Sequence, residues 1–238
     1  MSFRSLALVK EERIAVITLD HPQEGNALSD ELAQELAEAC ALISQDNEVW
    51  AVVLEAAGRS FCTGGDAPYA VEAVAAIEQP VVAALQGDVL GMGLALACAC
   101  DLRLASPGAR LGVPQLLTHP GGLTQRLPRL VGRGRALEML LMGGVVDSTQ
   151  AQLYGLVNQV ATVGNLTSLA LEWGRRLVAK SPIAARLVKE AVAKGMDLTL
   201  DQGLRLEADL YFLLHTTGDR TEGISAFLSK RPPQFKGD

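Results

Sequence analysis

The chain lacks the long apolar run that a membrane span requires. Of its 238 residues, 49% are hydrophobic, yet charged side chains interrupt the sequence before any stretch reaches the ~20 apolar residues of a transmembrane helix. The N-terminus leads into alternating, strand-like sequence and not into the apolar segment and small-residue cleavage site of a signal peptide. We therefore expect a soluble, cytoplasmic protein with one large globular domain.

Metal-ligand spacing, a basic surface and the common nucleotide motifs are also missing. The four cysteines (Cys40, Cys62, Cys98 and Cys100) are not spaced as metal ligands, so buried free thiols are expected. A formal net charge of -6 argues against nucleic-acid binding, because contacts with phosphates need a dense basic surface. Neither GxGxxG nor the P-loop motif occurs, which disfavours a dinucleotide or P-loop site.

Short apolar runs that alternate with helical patterns predict a layered α/β fold. Two runs separated by three charged residues predict a hairpin, and later runs predict buried strands. The strands are expected over 6–10, 14–19, 50–55, 81–85, 102–105 and 110–112. A helix is expected to begin after Ser29, whose hydroxyl can cap it.

The last third of the chain is mostly helical in pattern. We divide the chain into a core over 1–180 and a C-terminal helical region over 181–238. A capping box of Asp219 and Glu222 is expected to start the final helix. Helices are expected over 124–130, 135–142, 165–179, 182–195, 199–215 and 219–229, with a short segment at 158–163. Their apolar residues could form a subunit interface or pack within the chain.

Two glycine-rich turns, "SFCTGGDA" (60–67) and "GDVLGMG" (87–93), each end where a helix is expected to begin. Glycine permits left-handed backbone angles and close approach of a ligand. Two such turns can aim two backbone N–H groups at one developing oxyanion, with about 3 kcal/mol per donor in a dry site. The alternative is that the glycines only allow tight connections between strand and helix.

The order of several motifs along nearly the whole chain resembles the crotonase superfamily, the enoyl-CoA hydratase/isomerase family. The motifs are "HPQEGNALSDEL", "SFCTGGD", "QPVVAALQGDVLGMGLALACACDLRLAS", "LTQRLPRLVGRGRALEMLLMGG", "GLVNQV" and "TGDRTEGISAFLSKRPPQFKG". The resemblance implies a crotonase-like spiral of ββα units with a C-terminal helical trimerisation region, in a homotrimer or a dimer of trimers. It also implies an acyl-CoA or acyl-carrier thioester as substrate, with CoA as part of that substrate, no separate cofactor and no metal.

The resemblance also implies site residues. By position, the N–H groups of Gly65 and Met92 would form the oxyanion hole, although many members have glycine where Met92 stands. The substrate-binding residues carried over or considered are Asn26, Ala27 and Leu28 for the CoA adenine, Gly64 and Asp66 in the first turn, His215, and Lys236 in the tail. Asp66 is expected mainly to cap the helix that begins near Pro68. His215 is considered for a substrate carboxylate.

This chain departs from the family where hydratases carry two catalytic glutamates. Matching by motif places Ala95 and Gln115 at those positions, and neither side chain can exchange a proton. A positioned acid or base contributes about 10²–10⁴ in rate, so hydration by the usual pair should be impaired. His119 lies close to Gln115 in sequence and is a candidate acid or base near pH 7.

Three functions stay open at this point. The first is an enoyl-CoA hydratase or isomerase whose proton transfers use other groups or water. The second is a decarboxylase of a malonyl-type acyl thioester, because loss of CO₂ produces the enolate without a base. The third is a catalytically weak acyl-CoA binding protein that has kept the fold.

Overall fold

A six-stranded sheet forms the centre of the computed structural model, which describes residues 3–115 and 121–238. Its strand order is β1-β2-β3-β4-β6-β9, and a second sheet has the order β5-β7-β8. The strands are β1 (Leu6–Glu11), β2 (Ile14–Leu19), β3 (Ala51–Ala56), β4 (Val81–Leu85), β5 (Asp88–Leu90), β6 (Leu102–Ala105), β7 (Arg110–Gly112), β8 (Val145–Asp147) and β9 (Gln159–Val160).

The predicted hairpin is confirmed. Strands β1 and β2 pair antiparallel with Leu6 opposite Leu19, and the connecting residues Glu12 and Arg13 take positive φ angles of 48° and 67°. From β2 onward the sheet is parallel, and β3 and β4 are buried along most or all of their length. Their unbroken aliphatic sequences follow from this burial on both faces.

The helices lie on both sides of the main sheet. They are α1 (Asp30–Gln45), α2 (Pro68–Ala75), α3 (Met92–Ala99), α4 (Leu123–Val131), α5 (Arg133–Met142), α6 (Ser148–Leu153), α7 (Leu166–Val178), α8 (Pro182–Gly195), α9 (Leu200–Leu214) and α10 (Gly218–Leu228). The six helices predicted after residue 123 are all present, with ends within two residues of the predicted ones. The sequence did not predict α6, β5 or β8, which have only six, three and three residues.

The chain repeats one unit as it moves across the sheet. Each unit places one strand in the main sheet, crosses to the second layer, and returns through a helix; β4-β5-α3 and β6-β7-α4 are examples. Between β3 and α2 the crossing segment is not a full strand, but isolated bridges join Leu28 to Gly65 and Cys62 to Val89. This arrangement agrees with the predicted spiral of ββα units.

Two apolar clusters hold the layers together. The larger one contains Leu32 and Leu36 of α1, Leu54 of β3 and Leu94 of α3, and lies between the two sheet layers. A smaller one lies on the opposite face, where α7 packs against alternate residues of the central strands. The buried residues of each cluster are less than 10% exposed, as expected of a close-packed core.

The predicted caps have mixed outcomes. Ser29 caps α1 through a 3.3 Å bond from the Leu32 N–H to its hydroxyl, as expected. The predicted capping box of Asp219 and Glu222 is wrong, because Thr217 caps α10. Asp219 is buried and instead accepts hydrogen bonds from the Ser181 hydroxyl and from the N–H groups of the C-terminal tail.

None of the helices in the described part of the chain combines the length and the apolar character needed to cross a bilayer.

Candidate active site

The first glycine turn follows a segment held on both sides by its neighbours. The Phe61 N–H donates to the Gln86 carbonyl (2.8 Å), and the Leu90 N–H donates to the Cys62 carbonyl (3.0 Å). On the other side the Leu28 N–H donates to the Gly64 carbonyl (3.0 Å). The segment before Gly65 is therefore fixed between two elements and does not behave as a free loop.

Gly65 needs to be glycine for two reasons. Its φ is +114°, and a Cβ would lie 2.5 Å from the Leu28 carbonyl oxygen. In the bridge with Leu28, the bonding groups are those of Gly64 and Asp66, so the Gly65 N–H points away from that partner. Within residues 3–115 and 121–238 this N–H has no acceptor, which leaves it available to a ligand.

The second turn places Met92 at the first residue of α3. Gly91 precedes it with a φ of +54°, and the Gly91 N–H donates to the Gly112 carbonyl (3.0 Å). The N–H groups in the first turn of a helix have no intrahelical acceptor, and the helix dipole adds partial positive charge there. The Met92 N–H likewise has no acceptor among the described residues, although its side chain is buried.

The two turns occupy equivalent places in successive units and are packed against each other. Gly65 lies shortly before α2, and Met92 begins α3. A Cβ at Gly93 would overlap the Cys62 carbonyl, so α3 approaches the first segment more closely than any side chain would allow. Glycine at this position permits backbone-to-backbone contact between the two candidate donor segments.

The two residues that the sequence resemblance matches to the family glutamates differ in their surroundings. Ala95 is fully buried in α3, and its Cβ lies 3.4 Å from where a Cβ of Gly121 would be. Gln115 is exposed after β7. The predicted acid-base candidate His119 lies outside the described residues.

The acidic residues of the two turns are not arranged as helix caps. The N-cap of α2 is Ala67 and makes no side-chain bond, so the prediction that Asp66 caps this helix is wrong; Asp66 is exposed. Asp88 in the second turn forms an ion pair with Arg110 on the neighbouring strand (3.1 Å).

The segment predicted to contact the CoA adenine is held by the side chain of Asn26. The buried Asn26 amide donates to the carbonyls of Ala57 (2.9 Å) and Ser60 (2.8 Å) and accepts from the His21 N–H (2.8 Å). Its side chain is thus fully used inside the protein. Ala27 is half-buried and Leu28 is buried, so a ligand would meet mainly the backbone of this segment.

The two C-terminal candidates lie on the surface. His215 follows α9 and contacts the rings of Tyr211 and Phe212, at centroid distances of 4.6 and 6.5 Å. Lys236 is exposed, while its backbone N–H donates to Asp219 (2.8 Å). The tail is therefore anchored, and the Lys236 side chain is left facing solvent.

All four cysteines are buried and free, as expected. Burial disfavours the charged thiolate and raises the pKa of Cys62 and Cys98 to about 11 and that of Cys40 and Cys100 to about 12. These thiols therefore stay protonated at neutral pH and are poor nucleophiles.

Some supporting residues were not predicted from the sequence. Gly93 and the amide of Asn26 hold the turns, and an ion pair between Arg126 and Glu72 lies beside them. Of these, only Gly93 is visible in a sequence pattern, as the last glycine of the second turn. The others form hydrogen bonds between residues that are 31 to 54 positions apart in the sequence. Local sequence periodicity cannot predict such contacts.

Similarity to known proteins gives independent evidence on the family of this chain. The family model described as enoyl-CoA hydratase/isomerase matches residues 9–238. The chain is 39% identical to the Bacillus subtilis protein YngF over 98% of each chain. It is 34% identical to a crotonyl-CoA hydratase of Syntrophomonas wolfei over 99% of each chain.

A solved structure has the same fold. The 1.8 Å crystal structure of an enoyl-CoA hydratase from Bacillus anthracis superimposes with a TM-score of 0.96 at 34% identity, covering 99% of this chain and all of the other. The similarity therefore covers nearly the full length of the chain and is not limited to one part of the fold. The chain belongs to the enoyl-CoA hydratase/isomerase family, the crotonase superfamily, and its function is of the enoyl-CoA hydratase/isomerase type.

Proposed function

We propose that this enzyme binds the carbonyl oxygen of an acyl-CoA thioester between the backbone N–H groups of Gly65 and Met92 and thereby stabilises an enolate. The observation that supports this most strongly is the pair of glycine turns, packed together through Gly93 and each presenting an N–H that has no acceptor within residues 3–115 and 121–238. Two preorganised donors stabilise a developing oxyanion by about 3 kcal/mol each.

The acid-base chemistry differs from that of hydratases with two glutamates. Ala95 has no proton to exchange, and the Gln115 amide can orient water but cannot accept a proton at neutral pH. We propose that proton transfers in this enzyme go through water or through a group elsewhere in the site. The expected consequence is slow hydration of simple enoyl thioesters.

Hydration of crotonyl-CoA and of enoyl-CoA esters with four to ten carbons tests this proposal. We expect slow but measurable turnover, and a rise of at least about tenfold in the Gln115→Glu variant, because the position is exposed and regains a carboxylate. The matched control is Gln23→Glu, an exposed change outside the turns. Absence of turnover at every chain length, together with no gain in Gln115→Glu, would count against hydration.

A second candidate is decarboxylation of a malonyl-type thioester. The observation that favours it is the combination of two available N–H groups with no carboxylate at positions 95 and 115. Loss of CO₂ leaves an enolate on the thioester, so the oxyanion hole alone supplies the main stabilisation. Release of CO₂ from malonyl-CoA or methylmalonyl-CoA would support it, whereas tight binding without conversion of any ester would identify an acyl-CoA binding protein.

We further propose that CoA is bound as part of the substrate, with no separate cofactor. The backbone of residues 26–28 would meet the adenine, and Lys236 the nucleotide phosphates. The unmodified enzyme is expected to bind dephospho-CoA esters more weakly than CoA esters. A smaller difference between these two affinities in Lys236→Ala would support the contact between Lys236 and the phosphates.

The C-terminal helices support a proposal for assembly. A groove of about 310 Å³ between α8 and α9 is lined by apolar side chains, including Val188, Val192 and Tyr211. Phe212 on α9 and Phe227 on α10 are 71% and 82% exposed. Because these side chains are exposed, packing within the chain does not account for them. Exposed apolar surface of this extent is typical of an interface. We therefore propose a homotrimer or a dimer of trimers.

A further inference from the structure

Arg126 in α4 connects two elements that neighbour the candidate oxyanion hole. Its Nη2 donates to both carboxylate oxygens of Glu72 in α2, at 3.0 and 2.9 Å, and its Nη1 donates to the carbonyl of Gly121 at 3.1 Å. The Arg126 side chain is 23% exposed. A planar guanidinium with two partners fixes direction as well as distance, which a lysine cannot do as well.

Gly121, which accepts from Arg126, lies directly on the candidate donor residue. A Cβ at Gly121 would overlap the sulfur of Met92 and would lie 3.4 Å from the Cβ of Ala95. Gly121 has a φ of +52°, so its backbone takes the left-handed conformation that brings the α-carbon against Met92. Two direct contacts therefore separate the guanidinium from the residue that carries the proposed N–H donor.

We propose that Arg126 is a positioning residue of this site: by holding α2 and the Gly121 carbonyl together, it fixes Gly121 against Met92 and so fixes the oxyanion hole. This inference rests on the proposed function of the two N–H groups. Glu72 lies on α2, which follows the Gly65 turn, so the guanidinium joins this helix to Gly121, the residue that packs against the side chain of Met92. A donor displaced by an ångström loses much of its effect on rate.

The neighbouring Arg129 provides a matched comparison. It lies on the same helix and forms a 2.8 Å ion pair with Asp197 and a 2.8 Å bond to the Gln125 carbonyl. Neither bond involves Gly121 or α2. Removing Arg129 therefore removes an arginine, a charge and an ion pair without changing the support of Met92.

The test uses the full-length enzyme and four variants: Arg126→Met, Arg126→Lys, Arg129→Met, and the exchange of Glu72→Arg with Arg126→Glu. The exchange keeps an ion pair between α2 and α4, but the new carboxylate at position 126 cannot donate to the Gly121 carbonyl. Two readouts are compared: kcat and KM with the substrate that the enzyme turns over, and the infrared carbonyl frequency of bound [1-13C]butyryl-CoA, a saturated thioester. Urea unfolding of every variant separates stability from positioning.

We expect Arg126→Met and the exchange variant to lose about tenfold or more in kcat with little change in KM. Their bound thioester carbonyl should also shift back toward its frequency in water. Arg126→Lys should recover part of the effect, and Arg129→Met should match the unmodified enzyme. Full recovery of kcat and carbonyl frequency in the exchange variant, or equal effects of Arg126→Met and Arg129→Met, would overturn the inference.

Failure of the proposed function gives a different result. If the unmodified enzyme binds butyryl-CoA without lowering its carbonyl frequency, the oxyanion hole itself is wrong, and the role of Arg126 falls with it. If the frequency is lowered equally in the unmodified enzyme and in all variants, the oxyanion hole stands and only the role of Arg126 is contradicted.

Discussion

Asn26 shows at the scale of one residue how a single buried side chain can hold several backbone segments together. It is fully buried, has a φ of +53°, and its amide makes three hydrogen bonds that join the turn at His21 to the ends of two other segments. Asparagine tolerates this left-handed conformation better than most residues. The loop that carries residues 26–28 therefore depends on this one amide.

Asn26→Ala is expected to lower the free energy of unfolding by about 3 kcal/mol, because it leaves one N–H and two carbonyls on half-buried residues without their partner. Urea unfolding followed by circular dichroism measures the change. Asn47→Ala, at an exposed position, is the control and should change stability by less than about 0.5 kcal/mol. Equal stabilities of the two variants would show that the Asn26 amide is not structural.

The four buried thiols predict a loss of stability at high pH. Their pKa values are raised from 9.0 to about 11 or about 12. At a pH between 9.0 and the raised value, the unfolded chain loses a proton that the folded chain keeps. The stabilisation is complete below pH 9 and is lost as the pH rises toward the folded values.

Between about pH 9 and 11 we expect the free energy of unfolding of Cys62→Ala to fall less steeply with pH than that of the unmodified enzyme. The two slopes should differ by up to about 1.4 kcal/mol per pH unit. Denaturant titrations at several pH values measure this slope. Parallel stability curves for the variant and the unmodified enzyme would contradict the buried, protonated state of this thiol.

Prediction from sequence succeeded at single residues where local geometry decides the outcome. The burial of the four cysteines and the cap at Ser29 follow from composition and local spacing. Asp66 and Asp219 look like capping residues in sequence, but Ala67 and Thr217 occupy those places. Asp219 is instead used by the C-terminal tail, which approaches it from 17 residues away.

At the scale of elements, the approach of α3 to the Cys62 segment is what brings the two candidate donor turns together. Gly93 allows this approach, because a Cβ there would overlap the Cys62 carbonyl. Gly93 lies in α3 with an ordinary backbone angle, so space and not conformation requires the glycine.

Gly93→Ala should separate the two turns and lower both activity and stability, with a loss of about 1–3 kcal/mol in the free energy of unfolding. Gly134→Ala is the matched control, because Gly134 is an exposed helical glycine with open space around it and should become more stable by up to about 1 kcal/mol. Thermal unfolding and the thioester assay measure both variants. An active, stable Gly93→Ala enzyme would contradict the close packing of the turns.

Elements were predictable from sequence where their periodicity extends over several residues. Strands β4, β6 and β7 and helix α8 have the predicted ends, because apolar runs, Pro182 and glycine mark them. Strands β5 and β8 escaped prediction since each has three residues and is defined by its partner in the second sheet. The packing of α3 against the first turn is also a tertiary fact that no local pattern reports.

At the scale of the whole molecule, the exposed apolar surface of the C-terminal helices is the basis of the proposed assembly. Phe212 and Phe227 would each place an aromatic ring in water in an isolated chain. We predict a particle of about 76 kDa, three chains of 25.2 kDa, or twice that mass, by light scattering after size exclusion.

The double variant Phe212→Glu and Phe227→Glu should shift this assembly toward the monomer, because charge at the centre of an apolar interface is unfavourable. Val163→Glu changes an apolar residue that is even more exposed but lies outside these helices, and should leave the mass unchanged. A monomeric unmodified enzyme, or a double variant that stays assembled, would contradict the interface.

The most direct test of the account is a crystal structure of the enzyme with a bound, unreactive acyl-CoA such as butyryl-CoA. We predict that the thioester oxygen lies about 2.7–3.1 Å from the backbone nitrogens of both Gly65 and Met92. A thioester oxygen bound by side chains, or placed beyond hydrogen-bond distance of either nitrogen, would contradict the oxyanion hole on which the proposed function depends.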